Sequence, residues 1–397
     1  MSRVSTGGHA DIELLHRLVG GDGGAALDAL LDGFTQQHPD VPLGDVTNEN
    51  LSLTVKSRIL KEDPPDVWIE WPGKNLKPYT DAGVVGDLSA IWTDGNMEQN
   101  YLDGPKDAAR IGDTYRAVPL NIHRINNLFI NASLADEVGV DPARIDSPSA
   151  FAEELERIDA ETDHVGMLFP MKNPWTVLQV FETVLLGEQG HDTYRAISDG
   201  RASQHRREIV QALEIVQRYG AVATDDRAYL SLTDANERFI EGESVFFHQG
   251  DWAAGAYTET DGFDYRSEWS HVPFPGTDGY YAMNMDSVVS AADTDTPDAV
   301  ETFLRYVGSA DGQRRFNRKK GSIPPRTDVD TGQFTPFLQE QQLAFQQSRS
   351  QPLSITHGLG VRPDQLIELK TAVSAFVSSW DVESAADAVI TALEQSS

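Results

Sequence analysis

Four tryptophans in the chain stand beside groups that could hold a hydroxylated ligand. Trp68 and Trp71 bracket Glu70 at the end of an apolar run, Trp175 follows Asn173 and Pro174, and Trp252 follows Gly250 and Asp251 just after the apolar run 244–248. A flat indole covers the C–H face of a sugar ring, while Asp, Glu, Asn, His or Lys beside it exchanges hydrogen bonds with the hydroxyls. Core packing competes with this reading for any single Trp. Several in the same company favour a binding site.

Other chemistries are poorly served. The chain has no Cys, hence no disulfide, thiolate metal site, catalytic thiol or cysteine-borne lipid. It carries no nucleophile elbow, phosphate-binding loop, His-Glu-x-x-His zinc motif or complete EF-hand loop, and none of its ten His lie three or four apart. Neither a metal nor a cofactor is expected. The 62 carboxylates can supply an acid pair for glycoside hydrolysis, which keeps an extracellular glycosidase as the alternative from another class. Gly21, Gly23 and Ala26 match the dinucleotide spacing G-x-G-x-x-A, but the segment from Val41 onward, which reads as extended, is broken over 41–46 by Pro42 and Gly44, so the strand ending in an acid that the motif needs next is missing. Asp22, in the same turn, reads as a helix N-cap or as a contact to a hydroxyl-rich ligand.

With 62 Asp and Glu against 32 Lys and Arg, the net charge is −30. Such a field repels nucleic-acid phosphates and anionic lipid head groups, so neither is expected as a partner. The densest basic run, Arg314, Arg315, Arg318, Lys319 and Lys320, borders a glycine turn and suits a local contact. Arg outnumbers Lys 23 to 9 and Asp outnumbers Glu 38 to 24, a balance favoured in concentrated salt, where screening removes self-repulsion. The 40% apolar content and 397 residues predict a folded chain of two domains. No apolar run of about 18 residues predicts a membrane span. The first eleven residues show no export signal, so the chain either stays where it is made or begins downstream of a leader.

Short apolar runs alternating with amphipathic stretches predict α/β layers. A strand at 12–15 leads through the glycine cluster 20–24 into a helix striped by Leu27, Leu30, Leu31 and Phe34. Leu51, Val55 and Ile59 mark a second helix before Pro64 and Pro65, and 67–71 reads as a strand. Ser147 then Pro148 starts a helix with Phe151, Leu155 and Ile158, and Ile209, Leu213 and Val216 stripe another. Thr296 then Pro297 starts one with Val300, Phe303, Leu304 and Val307. Helices are also expected over 366–380 and 385–393. No low-complexity linker separates two halves, which suggests a chain that crosses between domains more than once.

Five segments, in order, carry a resemblance: Val118-Pro-Leu-Asn-Ile-His-Arg-Ile-Asn126, Gly250-Asp-Trp-Ala-Ala-Gly255, Met283-Asn-Met-Asp-Ser287, Lys319-Lys-Gly-Ser-Ile323 and Ser354-Ile-Thr-His-Gly358. In order and spacing they resemble the glucose/galactose-binding proteins of ABC sugar importers, within the family-1 extracellular solute-binding proteins. The resemblance implies an α/β, two-domain periplasmic-binding-protein-like clamp of type II, with a ligand cleft between domains and three hinge crossings near 121–124, 282–284 and 323–325. Domain one would be 1–121 with 284–323, and domain two 122–283 with 324–397. Such a protein is a non-catalytic monomer outside the cytoplasmic membrane, delivering a monosaccharide to permease subunits.

Carried over position by position, the resemblance implies Trp252 as stacking platform, Asp286 as hydroxyl acceptor, Lys320 as donor, His357 and His123 as polar contacts, and Trp175 as part of a Trp-Thr pair opening a domain-two helix. The N-terminal part departs from the family, which has a Trp-Trp pair and a Glu where this chain has Leu18, Val19 and the glycine cluster. At the second strand, Ile69 and Trp71 replace a Gln and a His. Trp71 is the expected substitute platform and Glu70 or Asp22 the substitute carboxylate. This leaves the identity of the sugar open, another sugar or a polyol included.

Overall fold

The computed structural model of the protein describes residues 12–19, 21–48 and 50–394, the side chains of residues 21 and 22 apart. The chain folds as two units, one running to Ile122 and resuming over Met285–Phe334, the other comprising His123–Asn284 and the chain from Thr335 onward. The third change of unit falls at Phe334/Thr335, some way beyond the segment 323–325 expected from sequence. Backbone bonding explains the difference. Ile323 bridges Ile122, Leu102 donates to the Pro325 carbonyl and Thr327 to that of Asn100, which holds the segment after the helix Ala310–Lys320 on unit one.

In unit one the sheet order is Leu43–Thr47, Ile12–His16, Val67–Glu70, Ser287–Ser290, Val118–Pro119. The first three strands are parallel, and Ser287–Ser290 runs antiparallel to both of its neighbours. The segment expected to be broken by Pro42 and Gly44 is thus a strand, paired with Ile12–His16 along its whole length. Its side chains are mostly exposed. As an edge strand it is held by backbone hydrogen bonds, so it needs no apolar pattern, and Pro42 lies just outside it.

The helix Gly21–Gln37 buries Leu27, Leu30 and Phe34, as its stripe predicts. Asp22 lies in its first turn rather than before it, and its side chain is outside the described residues. The helix Pro297–Val307 buries Val300, Phe303, Leu304 and Val307, each contributing about 1.5–3 kcal/mol of apolar transfer. Trp68 and Trp92 are fully buried. Trp68 meets Tyr79 edge-on, so of the pair bracketing Glu70 this one belongs to the core.

In unit two the sheet order is Trp269–Pro273, Asn127–Asn131, Ser244–Gln249, Val165–Leu168. The last pair is parallel and the other two are antiparallel. Helices Pro148–Glu161, Pro174–Ala196, Arg206–Ala221, Pro363–Ser379 and Val382–Glu394 belong to this unit. Ser147 caps the first of them by accepting from the Ala150 N–H, with Pro148 at the first helical position. Among the described residues, no helix is long and apolar enough to cross a membrane.

Candidate functional site

Unit two brings four sequence-predicted residues together. Trp252 stands in the short turn Asp251–Ala253 that follows the strand Ser244–Gln249, and its ring centroid lies 5.3 Å from His123, 5.4 Å from His357 and 6.4 Å from Trp175. Trp175 and His357 are 6.0 Å apart. The four interplanar angles are 80°, 64°, 61° and 60°, on the edge-to-face side of the geometries that aromatic pairs prefer. Trp175 and Trp252 are only partly buried, whereas Trp269 in the same unit is fully buried.

Buried carboxylates hold this group in place. Asp251 accepts from His123 Nδ1 at 2.5 Å and from the Arg124 backbone N–H at 3.1 Å, which makes Nδ1 the protonated nitrogen of that ring. The His357 segment is tied to Glu182, which accepts from Ser354 Oγ (2.9 Å), Tyr194 Oη (2.9 Å) and the backbone N–H groups of Ile355 and Thr356 (2.6 and 3.3 Å). The Ser354 hydroxyl spends its proton on Glu182, so it accepts from His357 Nδ1 at 3.0 Å. Burial pushes the Glu182 carboxyl up from its ordinary range, and these hydrogen bonds act against that push.

Gly250 fixes where the Trp252 ring lies. A Cβ at Gly250 would stand 2.3–2.5 Å from three atoms of that indole, although its φ of −68° and ψ of 164° suit any residue. Gly250→Ala is therefore expected to displace the ring and weaken ligand binding about tenfold, with little loss of melting temperature. Titration calorimetry beside thermal unfolding checks this, and unchanged affinity would mean that the ring's position is immaterial.

Unit one gathers the remaining candidates. Asp286 is clamped by Asn121, whose Oδ1 accepts from the Asp286 N–H at 2.7 Å and whose Nδ2 donates to Oδ2 at 3.1 Å. Lys320, 8% exposed, ends the helix Ala310–Lys320, and Gly321 closes it with φ of 69°. The arginines of the basic run are engaged elsewhere, Arg314 and Arg315 with Asp311 and Arg318 with Gln333. Glu70 is buried, accepts from the Trp71 N–H at 3.0 Å, and is pushed up by burial against the opposing charge of Arg17. Trp71 carries the Arg17 guanidinium over its ring, 4.1 Å from the centroid. Arg17 also faces Asp286 Oδ1 at 3.6 Å.

Arg17, Glu70, Trp71 and Asp286 stand at the carboxyl ends of the parallel strands Ile12–His16 and Val67–Glu70, where open α/β sheets bind ligands. A cleft of about 560 Å³ opens at the other ends, lined by Glu13, Arg58, Asp63, Asp66, Asp293 and Asp295 among others. It has no aromatic wall, and Arg58 engages Glu13 and Asp63 while Thr294 engages Asp66. Two side chains that structure these groups were missed in the sequence, Arg17 and Glu182. An acid inside the buried run 176–186 is the signal that could have revealed Glu182.

Two sheet-centred α/β units, each rebuilt from separated stretches of chain, define a binding protein of the periplasmic type. The bacterial solute receptor AcbH, described as having an exclusive preference for β-D-galactopyranose, superposes with a TM-score of 0.84 over 97% of each chain at 17% identity. The chain belongs to the bacterial extracellular solute-binding protein family, matched over residues 29–345. It is 34% identical to the xylose/arabinose-binding protein XacG of Haloferax volcanii, over 97% of this chain and 85% of the relative. An ABC transporter extracellular-binding protein of Pyrococcus horikoshii is 28% identical, over 97% of this chain and 88% of the relative.

Proposed function

We propose that this protein is the substrate-binding component of an ABC importer, taking a neutral aldose monosaccharide outside the membrane and delivering it to permease subunits. The observation that carries the reading is the set of Trp175, Trp252, His357 and His123, two partly open indoles beside two buried imidazoles whose surroundings are fixed by the carboxylates of Asp251 and Glu182. Aromatic edges and faces serve the C–H surface of a pyranose, and the imidazoles serve its hydroxyls. Within unit one, Asp286, Lys320 and Glu70 supply an acceptor, a donor and a carboxyl of the kind that reads sugar hydroxyls, since a misplaced hydroxyl leaves such buried groups unpaired. The resemblance in sequence points to glucose or galactose, and the Haloferax volcanii relative is named for pentoses. Both sizes are therefore candidates.

The protein acts by binding and release. Aryl glycosides should remain uncleaved in its presence. Titration calorimetry of the folded protein in molar KCl with D-glucose, D-galactose, D-xylose and L-arabinose is expected to give a Kd of about micromolar or tighter for at least one of them. Absence of heat with all four would discard the aldose assignment. A salt-rich working solvent is supported by the charge of −30, whose self-repulsion salt screens.

A further inference from the structure

The carboxyl ends of the strands Ile12–His16 and Val67–Glu70 gather polar atoms that the protein leaves unfinished. Arg17 Nη2 is buried and makes no hydrogen bond among the described residues. Asp286 Oδ1 attracts it from 3.6 Å, which is beyond hydrogen-bond length. Glu70 Oε2 and Ser287 Oγ are likewise buried without partners among the described residues, and Glu70 and Ser287 face each other in register across adjacent strands. Buried donors and acceptors in this state are costly unless something else completes them.

The arrangement holds Arg17 in one place. Trp71 lies against its guanidinium at 4.1 Å, and the Trp71 carbonyl in turn accepts from Asn75 Nδ2 at 3.1 Å. Asn121 engages the N–H and Oδ2 of Asp286, and Oδ1 faces Arg17. A planar guanidinium stacked on an indole offers its N–H groups in a fixed fork, which a Lys ammonium does not.

We infer that Arg17 is a specificity-determining ligand residue, donating from Nη2 to one sugar hydroxyl while Asp286 accepts from the neighbouring one, so that the pair reads a vicinal diol. The inference rests on the reading that the protein binds a sugar. Trp71 is then a positioning residue beneath Arg17, and the platform role expected of it passes to the guanidinium above.

The test is calorimetry of wild type, Arg17→Met and Arg17→Lys with the tightest-binding of the four aldoses and with each of its monodeoxy analogues, thermal unfolding being followed in parallel. Both variants are expected to lose at least about tenfold in affinity for the parent sugar. One deoxy analogue should bind wild type at least about tenfold more weakly than the parent, yet bind Arg17→Met about as well as the parent does. A merely structural role for Arg17 would weaken parent and analogues alike, and that result overturns the inference. Parent affinity within about twofold of wild type in Arg17→Met overturns it as well. Should Arg17→Met fail to fold, the same comparison in Arg17→Lys decides. If folded wild type binds no sugar, the functional reading falls and this inference with it, whereas tight wild-type binding with indifferent variants removes the inference alone.

Discussion

Trp252→Ala is expected to lower sugar affinity about 100-fold, equivalent to nearly 3 kcal/mol. The indole meets His123, His357 and Trp175, so its loss removes both a ligand-facing surface and the common neighbour of the other three rings. A ligand would keep its hydroxyl contacts but lose the apolar face that orients them. Because Trp252 is only partly buried, thermal unfolding should shift by a few degrees at most. Titration calorimetry on the folded variant reads the effect, and Trp252→Phe should recover part of it. Wild-type affinity in the alanine variant would place the ligand elsewhere.

The second large effect concerns stability. Glu182→Ala removes the acceptor shared by Ser354, Tyr194 and the backbone N–H groups of Ile355 and Thr356. Tyr194 retains the Leu353 carbonyl at 2.9 Å and the Ile355 N–H retains the Tyr194 hydroxyl at 3.3 Å, but the buried Thr356 N–H and Ser354 hydroxyl lose the carboxylate that accepts from them. Breaking such a site costs roughly 3–5 kcal/mol, beyond any gain from removing the buried carboxylate alone. For a unit of this size the melting temperature should fall by about 10 °C. Sugar affinity should fall with it, because His357 is carried by the same segment. Glu259→Ala is the control, since that side chain is exposed. An equal drop there, or none in Glu182→Ala, would refute the role assigned to Glu182.

Much of the fold was legible because helices that bury one face must repeat apolar residues at helical spacing. Val300, Phe303, Leu304 and Val307 announce Pro297–Val307 in this way, and Ser147 with Pro148 marks a helix start. The strand Leu43–Thr47 was not legible, since backbone pairing alone builds it and its side chains face solvent. Aromatic type alone did not separate core from site. Trp68 and Trp71 are three positions apart, yet one is sealed in the core and the other lies partly open against Arg17. The unit-two group was readable because short contiguous motifs carry it, as with Asp251 beside Trp252. Arg17 was not, because its surroundings come from positions 71 and 286, and no linear spacing links them to the end of the strand Ile12–His16 that Arg17 follows.

The place of Ser287–Ser290 between Val67–Glu70 and Val118–Pro119 has a kinetic consequence. On the ribosome, residues 12–122 emerge with a gap in their sheet that nothing can fill until the whole excursion 123–284 has been translated. During that interval Val67–Glu70, a fully buried strand in the finished protein with three apolar residues before Glu70, offers an open edge to any other chain. Nascent or truncated copies are thus open to misassembly and proteolysis until position 290 is reached, and only full-length synthesis relieves that exposure.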